Sequence, residues 1–150
     1  LELPPEGGAL LDLYGGYGAF ALAYASSKRG RARVVESSDE AVSVGKAYAK
    51  RQRLPVDYQL QDLRGSMQRN SDWKKWDAAL VDPPRSGLHD PLIRQLNHSG
   101  PCRLIYVSCH PAALARDLTR LQAYLVSELI PVDLFPQTSD LETVAVLDRF

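Results

Sequence analysis

The strongest constraint on this chain is its rhythm. Short apolar runs alternate with helical stretches over most of its length, and two strand-like runs then follow one another directly. Ala9–Tyr14 reads as a buried strand and Phe20–Ser27 as a helix rich in Ala and Leu. Arg33–Glu36 predicts a second strand and Asp39–Arg51 a second helix, with two serines ahead of it as caps. Val56–Gln61 and Ala78–Val81 predict strands, the latter stopped by Pro83 and Pro84. Pro91–Leu96 is helical, Arg103–Ser108 a strand and Ala112–Leu125 a helix. Strands near Glu128–Phe135 and Leu141–Leu147 close the series.

Strands that alternate with helices imply right-handed crossovers and a parallel sheet. Only residues 136–140 separate the last two strands. So short a link demands antiparallel pairing. The expected architecture is α/β: a doubly wound, mostly parallel sheet with one reversed strand at its C-terminal end. Ligands of such sheets bind beyond the carboxyl ends of the parallel strands. Asp12, Glu36, Asp62, Asp82 and Cys109 each fall at or just past such an end. The last strand runs the other way, so Glu142, at its start, joins them on the same rim.

Composition limits what such a rim serves. The chain has 150 residues, 45% hydrophobic and 24% charged, enough for one domain with its own core. No apolar run approaches the roughly 20 residues of a membrane span. No basic segment followed by an apolar one opens the chain as a signal peptide would. The formal net charge is zero, which argues against a strong non-specific grip on nucleic acid by this domain alone. Basic clusters at residues 28–33 and 50–53 read first as solvated helix ends. Two cysteines, Cys102 and Cys109, are too few for a disulfide framework and have no metal-ligand spacing. A reduced, cytoplasmic setting fits them.

Four local constellations carry chemistry. Asp12–Gly18 (DLYGGYG) joins the first strand to a helix, and its glycines permit a tight turn against a ligand. Glu36 follows Gly16 by twenty residues, the placement of a carboxylate that accepts from both hydroxyls of a ribose. The reading is nucleoside-cofactor binding, against a plain structural turn with a surface Glu. Ala21 stands where a dinucleotide fingerprint has its third Gly. Asp12 would also repel a pyrophosphate, whereas an acidic site suits the cationic S-adenosyl-L-methionine. Asp82–Leu88 (DPPRSGL) fixes an extended backbone past a strand end. Cys109, in Tyr106–Pro111 (YVSCHP), ends a strand on the ligand rim and precedes a helix, which suits a thiolate nucleophile. Cys102 falls at the opposite rim and serves as its internal control. Glu142 opens an otherwise apolar strand and is a candidate general base.

These residues resemble a known family. Asp12–Phe20, Asp82–Leu88, Tyr106–Leu118 and Val132–Val146 are similar to the C-terminal catalytic domain of RNA uracil-5-methyltransferases, which make 5-methyluridine in tRNA and rRNA. The resemblance spans nearly the whole chain. It implies a Rossmann-like class I methyltransferase fold, with Cys109 as nucleophile and Glu142 as the base that removes the C5 proton. It implies that Tyr14, Ala19, Glu36, Asp62 and Asp82 contact S-adenosyl-L-methionine, beside Asp12, Gly16 and Gly18 of the loop. It implies an RNA partner, tRNA or rRNA; some family members carry an iron–sulfur cluster, for which this chain has too few cysteines, so no metal is expected in this domain. The sequence departs from the family pattern at Ala19 (usually Asn) and, at positions where other residues are frequent, at Gly15 (Cys), His110 (Asn) and Asp140 (His). Family members carry upstream RNA-binding segments, so the chain is expected to be the catalytic domain of a longer protein. Two other readings stand beside this one: an exocyclic-amino methyltransferase built on Asp82-Pro83-Pro84, and a non-catalytic cofactor- or RNA-binding module.

Overall fold

The computed structural model describes residues 3–28, 30–65, 73–133 and 142–150. Strands β1 (Ala9–Leu13), β2 (Arg31–Glu36), β3 (Val56–Leu60), β4 (Ala78–Val81), β5 (Arg103–Ser108), β6 (Tyr124–Val132) and β7 (Glu142–Arg149) form one sheet. Helices α1 (Ala19–Lys28), α2 (Asp39–Gln52), α3 (Asp90–Ser99) and α4 (Pro111–Arg120) connect them. The order across the sheet is β3-β2-β1-β4-β5-β7-β6. The pairs β1–β2, β1–β4, β2–β3 and β4–β5 are parallel, whereas β7 is antiparallel to both β5 and β6.

The parallel centre is buried on both faces, which explains its continuous apolar runs. Successive side chains of a strand point to opposite faces. Leu10, Val34, Leu80 and Ile105 accordingly pack with Ala21, Tyr24, Val42 and Ala49 of α1 and α2. Leu11, Leu13, Val35, Val81 and Tyr106 pack with Leu92, Leu96 and Leu114 of α3 and α4. From β1 the chain winds outward through β2 and β3, and from β4 it winds the other way to β5. The carboxyl ends of β1 and β4 therefore flank the switch point where such sheets hold ligands.

The doubly wound sheet and the single reversed strand follow the sequence expectation. The reversed strand lies inside the sheet, between β5 and β6, so β6 forms the edge. Ser38 caps α2, its hydroxyl accepting from Ala41 N at 3.2 Å. The largest displacement of a boundary is between α4 and β6. The apolar spacing predicts a helix through Leu125, but Leu121 leaves helical geometry with φ −81° and ψ 60°. The turn that follows places Tyr124 in β6, its hydroxyl donating to Pro101 O at 2.9 Å. That partner is remote in sequence and invisible to periodicity. α3 runs past Leu96 to Ser99, and β1 ends at Leu13 because Tyr14 has a positive φ of 59°. The predicted link 136–140, together with Phe135 and Leu141, lies outside the described residues.

Candidate active site

The loop after β1 is shaped by three positive φ angles, at Tyr14 (59°), Gly16 (55°) and Gly18 (89°). Gly18 is required twice over: a Cβ there would come within 2.5 Å of the Tyr58 hydroxyl. That hydroxyl in turn donates to Tyr17 O at 2.9 Å. Glu36 ties the loop to the end of β2. Its Oε2 accepts from Gly16 N at 3.0 Å, and its Oε1 accepts from the backbone of Ser37 and Ser38 and from the Ser37 hydroxyl. Burial pushes this carboxyl up, but the four hydrogen bonds outweigh it and hold the group below the usual range. A carboxylate has about four lone-pair sites, and Oε2 uses one of its two, so it keeps an acceptor position.

Asp12 is placed differently from a ligand-facing acid. It is fully buried in β1, beneath Gly15, with Oδ2 accepting from Ala21 N at 3.1 Å in the first turn of α1. Burial is the main cause that pushes its carboxyl up to about 7; the hydrogen bond opposes this, and Asp82 and Glu36 add to it. Oδ1 is buried without a hydrogen-bond partner among the described residues. Asp12 thus braces the loop from below. Ala19, the first residue of α1, is exposed above it.

Across the sheet, a cavity of about 200 Å³ is lined by Tyr14, Glu36, Ser37, Asp62, Arg64 and His89, among others. The Tyr14 hydroxyl and His89 Nδ1 are themselves buried, without hydrogen-bond partners among the described residues. Burial pushes the Tyr14 phenol up to about 12, with Asp62 and Asp117 adding to it. Asp62 is exposed and held by Arg64, whose side chain reaches both carboxylate oxygens at 3.0–3.2 Å. That contact holds the Asp62 carboxyl below its ordinary range. A carboxylate with a free acceptor position at the edge of this cavity fits the hydroxyls of a ribose.

The other half of the rim lies past β4, β5 and the start of β7. Asp82 follows β4 and is open to solvent, yet the protein packed around it and the charge of Glu142 both raise its carboxyl. The antiparallel register sets Ser108 opposite Thr143. Cys109 directly follows Ser108 and Glu142 directly precedes Thr143; both are half-buried. The buried Ser108 hydroxyl spans Cys109, accepting from His110 N at 3.1 Å and donating to His110 O at 3.2 Å. His110 then caps α4, its Nδ1 accepting from Ala113 N. Cys102 is exposed before β5, at the opposite edge of the sheet, with its thiol donating to Asp77 O.

Sequence reasoning had no signal for Arg64, for Ser108 or for a buried carboxylate on α4. Asp117 accepts from Leu88 N at 2.6 Å, from the Tyr106 hydroxyl at 2.8 Å and from Arg116. Arg116 also donates to Ser86 O at 2.7 Å. Together they anchor the loop that begins at Asp82 to β5 and α4.

Comparison with known proteins bears on the family and the fold. Residues 60–150 match the family model described as tRNA (uracil-5-)-methyltransferase. The chain is 33% identical over 144 residues to the tRNA (uracil(54)-C(5))-methyltransferase of Pyrococcus furiosus, covering 96% of this chain and 34% of that protein. It is 35% identical over 146 residues to the 23S rRNA (uracil(747)-C(5))-methyltransferase of Pyrococcus abyssi, with 96% and 34% covered. The crystal structure of Pyrococcus abyssi tRNA (uracil-54, C5)-methyltransferase in complex with S-adenosyl-L-homocysteine superposes with a TM-score of 0.83 at 33% identity, over 95% of this chain and 35% of that one. The chain spans about a third of the length of the curated relatives it matches.

Proposed function

The chain belongs to the tRNA (uracil-5-)-methyltransferase family, and from that premise we propose that it is the catalytic part of an enzyme that methylates C5 of a uridine in tRNA or rRNA through a covalent Cys109 adduct. The observation that supports this reading is the β5–β7 register, in which Ser108, just before Cys109, pairs with Thr143, just after Glu142. Residues Tyr14, Gly16, Gly18, Ala19, Glu36, Asp62 and Asp82 hold S-adenosyl-L-methionine, with Asp12 supporting the loop beneath it. When bound, that cofactor supplies an electrophilic methyl group on a sulfonium, which the activated C5 takes.

The protein's own groups do the rest. Carbon 5 of uracil is a poor nucleophile. The Cys109 thiolate adds to C6, and the electrons of the 5,6-double bond move onto C5 and the C4 carbonyl. After methylation, the Glu142 carboxylate removes the C5 proton. Those electrons restore the double bond and expel the Cys109 thiolate. Asp82, whose carboxyl is raised by burial and by the charge of Glu142, helps to orient the base. A target inside a stack must be flipped out to reach this rim. The grip on RNA comes largely from segments outside this chain, which is neutral overall. The setting is cytoplasmic; among the described residues no helix is long and apolar enough to cross a membrane.

RNA containing 5-fluorouridine tests the reading, because fluorine at C5 cannot leave as a proton. The protein carrying this chain should form a stable adduct that migrates slowly on a denaturing gel. Cys109→Ala should abolish the adduct and Cys102→Ala should preserve it. Methyl transfer without any adduct would refute the covalent route and favour attack by an exocyclic nitrogen, which needs no thiol.

A further inference from the structure

We propose that Asp117, buried in α4, is a positioning residue for the proposed cofactor: it fixes the turn after β4 so that Pro84 and His89 form one wall of the cofactor cavity. This rests on the S-adenosyl-L-methionine reading above. Asp117 has no exposure to solvent, and both its carboxylate oxygens are committed. Oδ2 accepts from Leu88 N at 2.6 Å and from the Tyr106 hydroxyl at 2.8 Å. Oδ1 accepts from Arg116 Nε at 3.0 Å and from its Nη2 at 2.8 Å. A buried ion pair is often no more stabilising than apolar side chains of the same volume. What such a carboxylate adds is a single backbone geometry, and here that geometry belongs to a loop.

The turn is closed by its own bonds and then pinned to the helix. Pro83 and Pro84 restrict the backbone, and Gly87 N donates to Pro84 O at 2.8 Å. Gly87 has a positive φ of 79°, and a Cβ there would collide with Asp117 Oδ2, so the turn lies directly on the carboxylate. Two pins set it on α4: Leu88 N on Asp117, and Ser86 O, which accepts from Arg116 Nη2 at 2.7 Å. A closed turn held at Ser86 and Leu88 places its first residue, Pro84, and His89, next to the pinned Leu88. Both line the cavity of about 200 Å³ that Glu36 and Asp62 also line. The charge of Asp117 reaches a third lining residue, Tyr14, whose phenol it helps to raise. Asp117 itself touches no ligand; it acts through the backbone of the loop.

Calorimetric titration of the protein carrying this chain with S-adenosyl-L-homocysteine tests this, at a temperature where each variant is folded. Asp117→Leu removes the acceptor of Leu88 N and should weaken the ligand about tenfold, because the ligand must then order the loop. Asp117→Asn keeps one acceptor oxygen and should lose less. Gly87→Ala leaves Asp117 in place but drives the turn off it, and should match the Leu variant; it keeps the test readable if the Leu variant does not fold. In methyl transfer, the loss should appear in the KM for S-adenosyl-L-methionine, with kcat at saturation kept. A merely structural carboxylate would lower the unfolding temperature and leave these ligand constants alone. Unchanged affinity in Asp117→Leu and Gly87→Ala, an Asn variant that loses as much as the Leu variant, or a loss confined to kcat overturns the proposal. Glu36→Ala separates the two levels. If the parent does not bind S-adenosyl-L-homocysteine, or Glu36→Ala binds it as the parent does, the cofactor reading falls and the role of Asp117 with it. If Glu36→Ala loses the ligand while Asp117→Leu and Gly87→Ala keep it, only the role of Asp117 falls.

Discussion

The two halves of the rim are built by different means. Past β1 and β2, geometry is held by a dense set of short-range bonds: Glu36 alone ties Gly16, Ser37 and Ser38 together, and Asp12 braces α1 from below. Past β5 and at the start of β7, strand register is the main device, with the Ser108 hydroxyl as a local clamp across Cys109. In the proposed reading, the first half is preorganised for the cofactor, and the second presents Cys109 and Glu142 to the substrate from the end of β5 and the start of β7.

The largest effect that sharpens this contrast is expected from Cys109→Ala. Methyl transfer should fall at least about a thousandfold with S-adenosyl-L-homocysteine affinity unchanged, as read by single-turnover kinetics and calorimetry. Loss of cofactor affinity in that variant would break the division between the halves. Next, Glu36→Ala removes the acceptor of three backbone N–H groups and of the proposed ribose bonds. Cofactor affinity should drop about a hundredfold, with the adduct-forming ability of Cys109 retained at saturating cofactor.

Asp12 gives a prediction about pH. Its folded-state pKa of about 7 lies above its ordinary value, so the unfolded chain releases this proton first as pH rises. Stability from Asp12 is therefore complete below about pH 4 and declines until pH passes about 7. Asp12→Asn keeps an acceptor for Ala21 N and cannot ionise. Relative to the parent, it should gain about 2 kcal/mol between pH 4 and pH 8, about half the limit set by the full shift. Urea denaturation at a series of pH values measures this, and a flat difference would show that Asp12 ionises freely. Smallest, Ser108→Ala should lower turnover about fivefold through loss of the clamp on Cys109, without altering cofactor affinity. An equal loss in both quantities would mean that the clamp serves the whole rim.

The same contrast explains what was legible in the sequence. Gly16 and Glu36 are joined by a motif with a fixed spacing, and Cys109 just follows one clear apolar strand while Glu142 opens another, so topology alone assigned them to one edge. The expectation that Asp12 faces a cationic ligand did not foresee its burial under Gly15, because β1 reads equally well with an acid on either face. Arg64 on Asp62, and Asp117 under Leu88, join residues whose partners depend on loop conformation and helix rotation. The end of α4 was misjudged because Tyr124 and Leu125 suit a helix face and an edge strand alike; the Pro101 carbonyl decides between them.

The insertion of β7 between β5 and β6 has a consequence for synthesis. A chain emerging from the ribosome presents the cofactor loop, the five parallel strands and the reactive thiol before the strand that bears the carboxylate. Until β7 threads into its slot, β5 keeps an open flank. If the proposed roles hold, the order of translation withholds competence until the sheet is closed, because a product truncated before β7 carries Cys109 without Glu142.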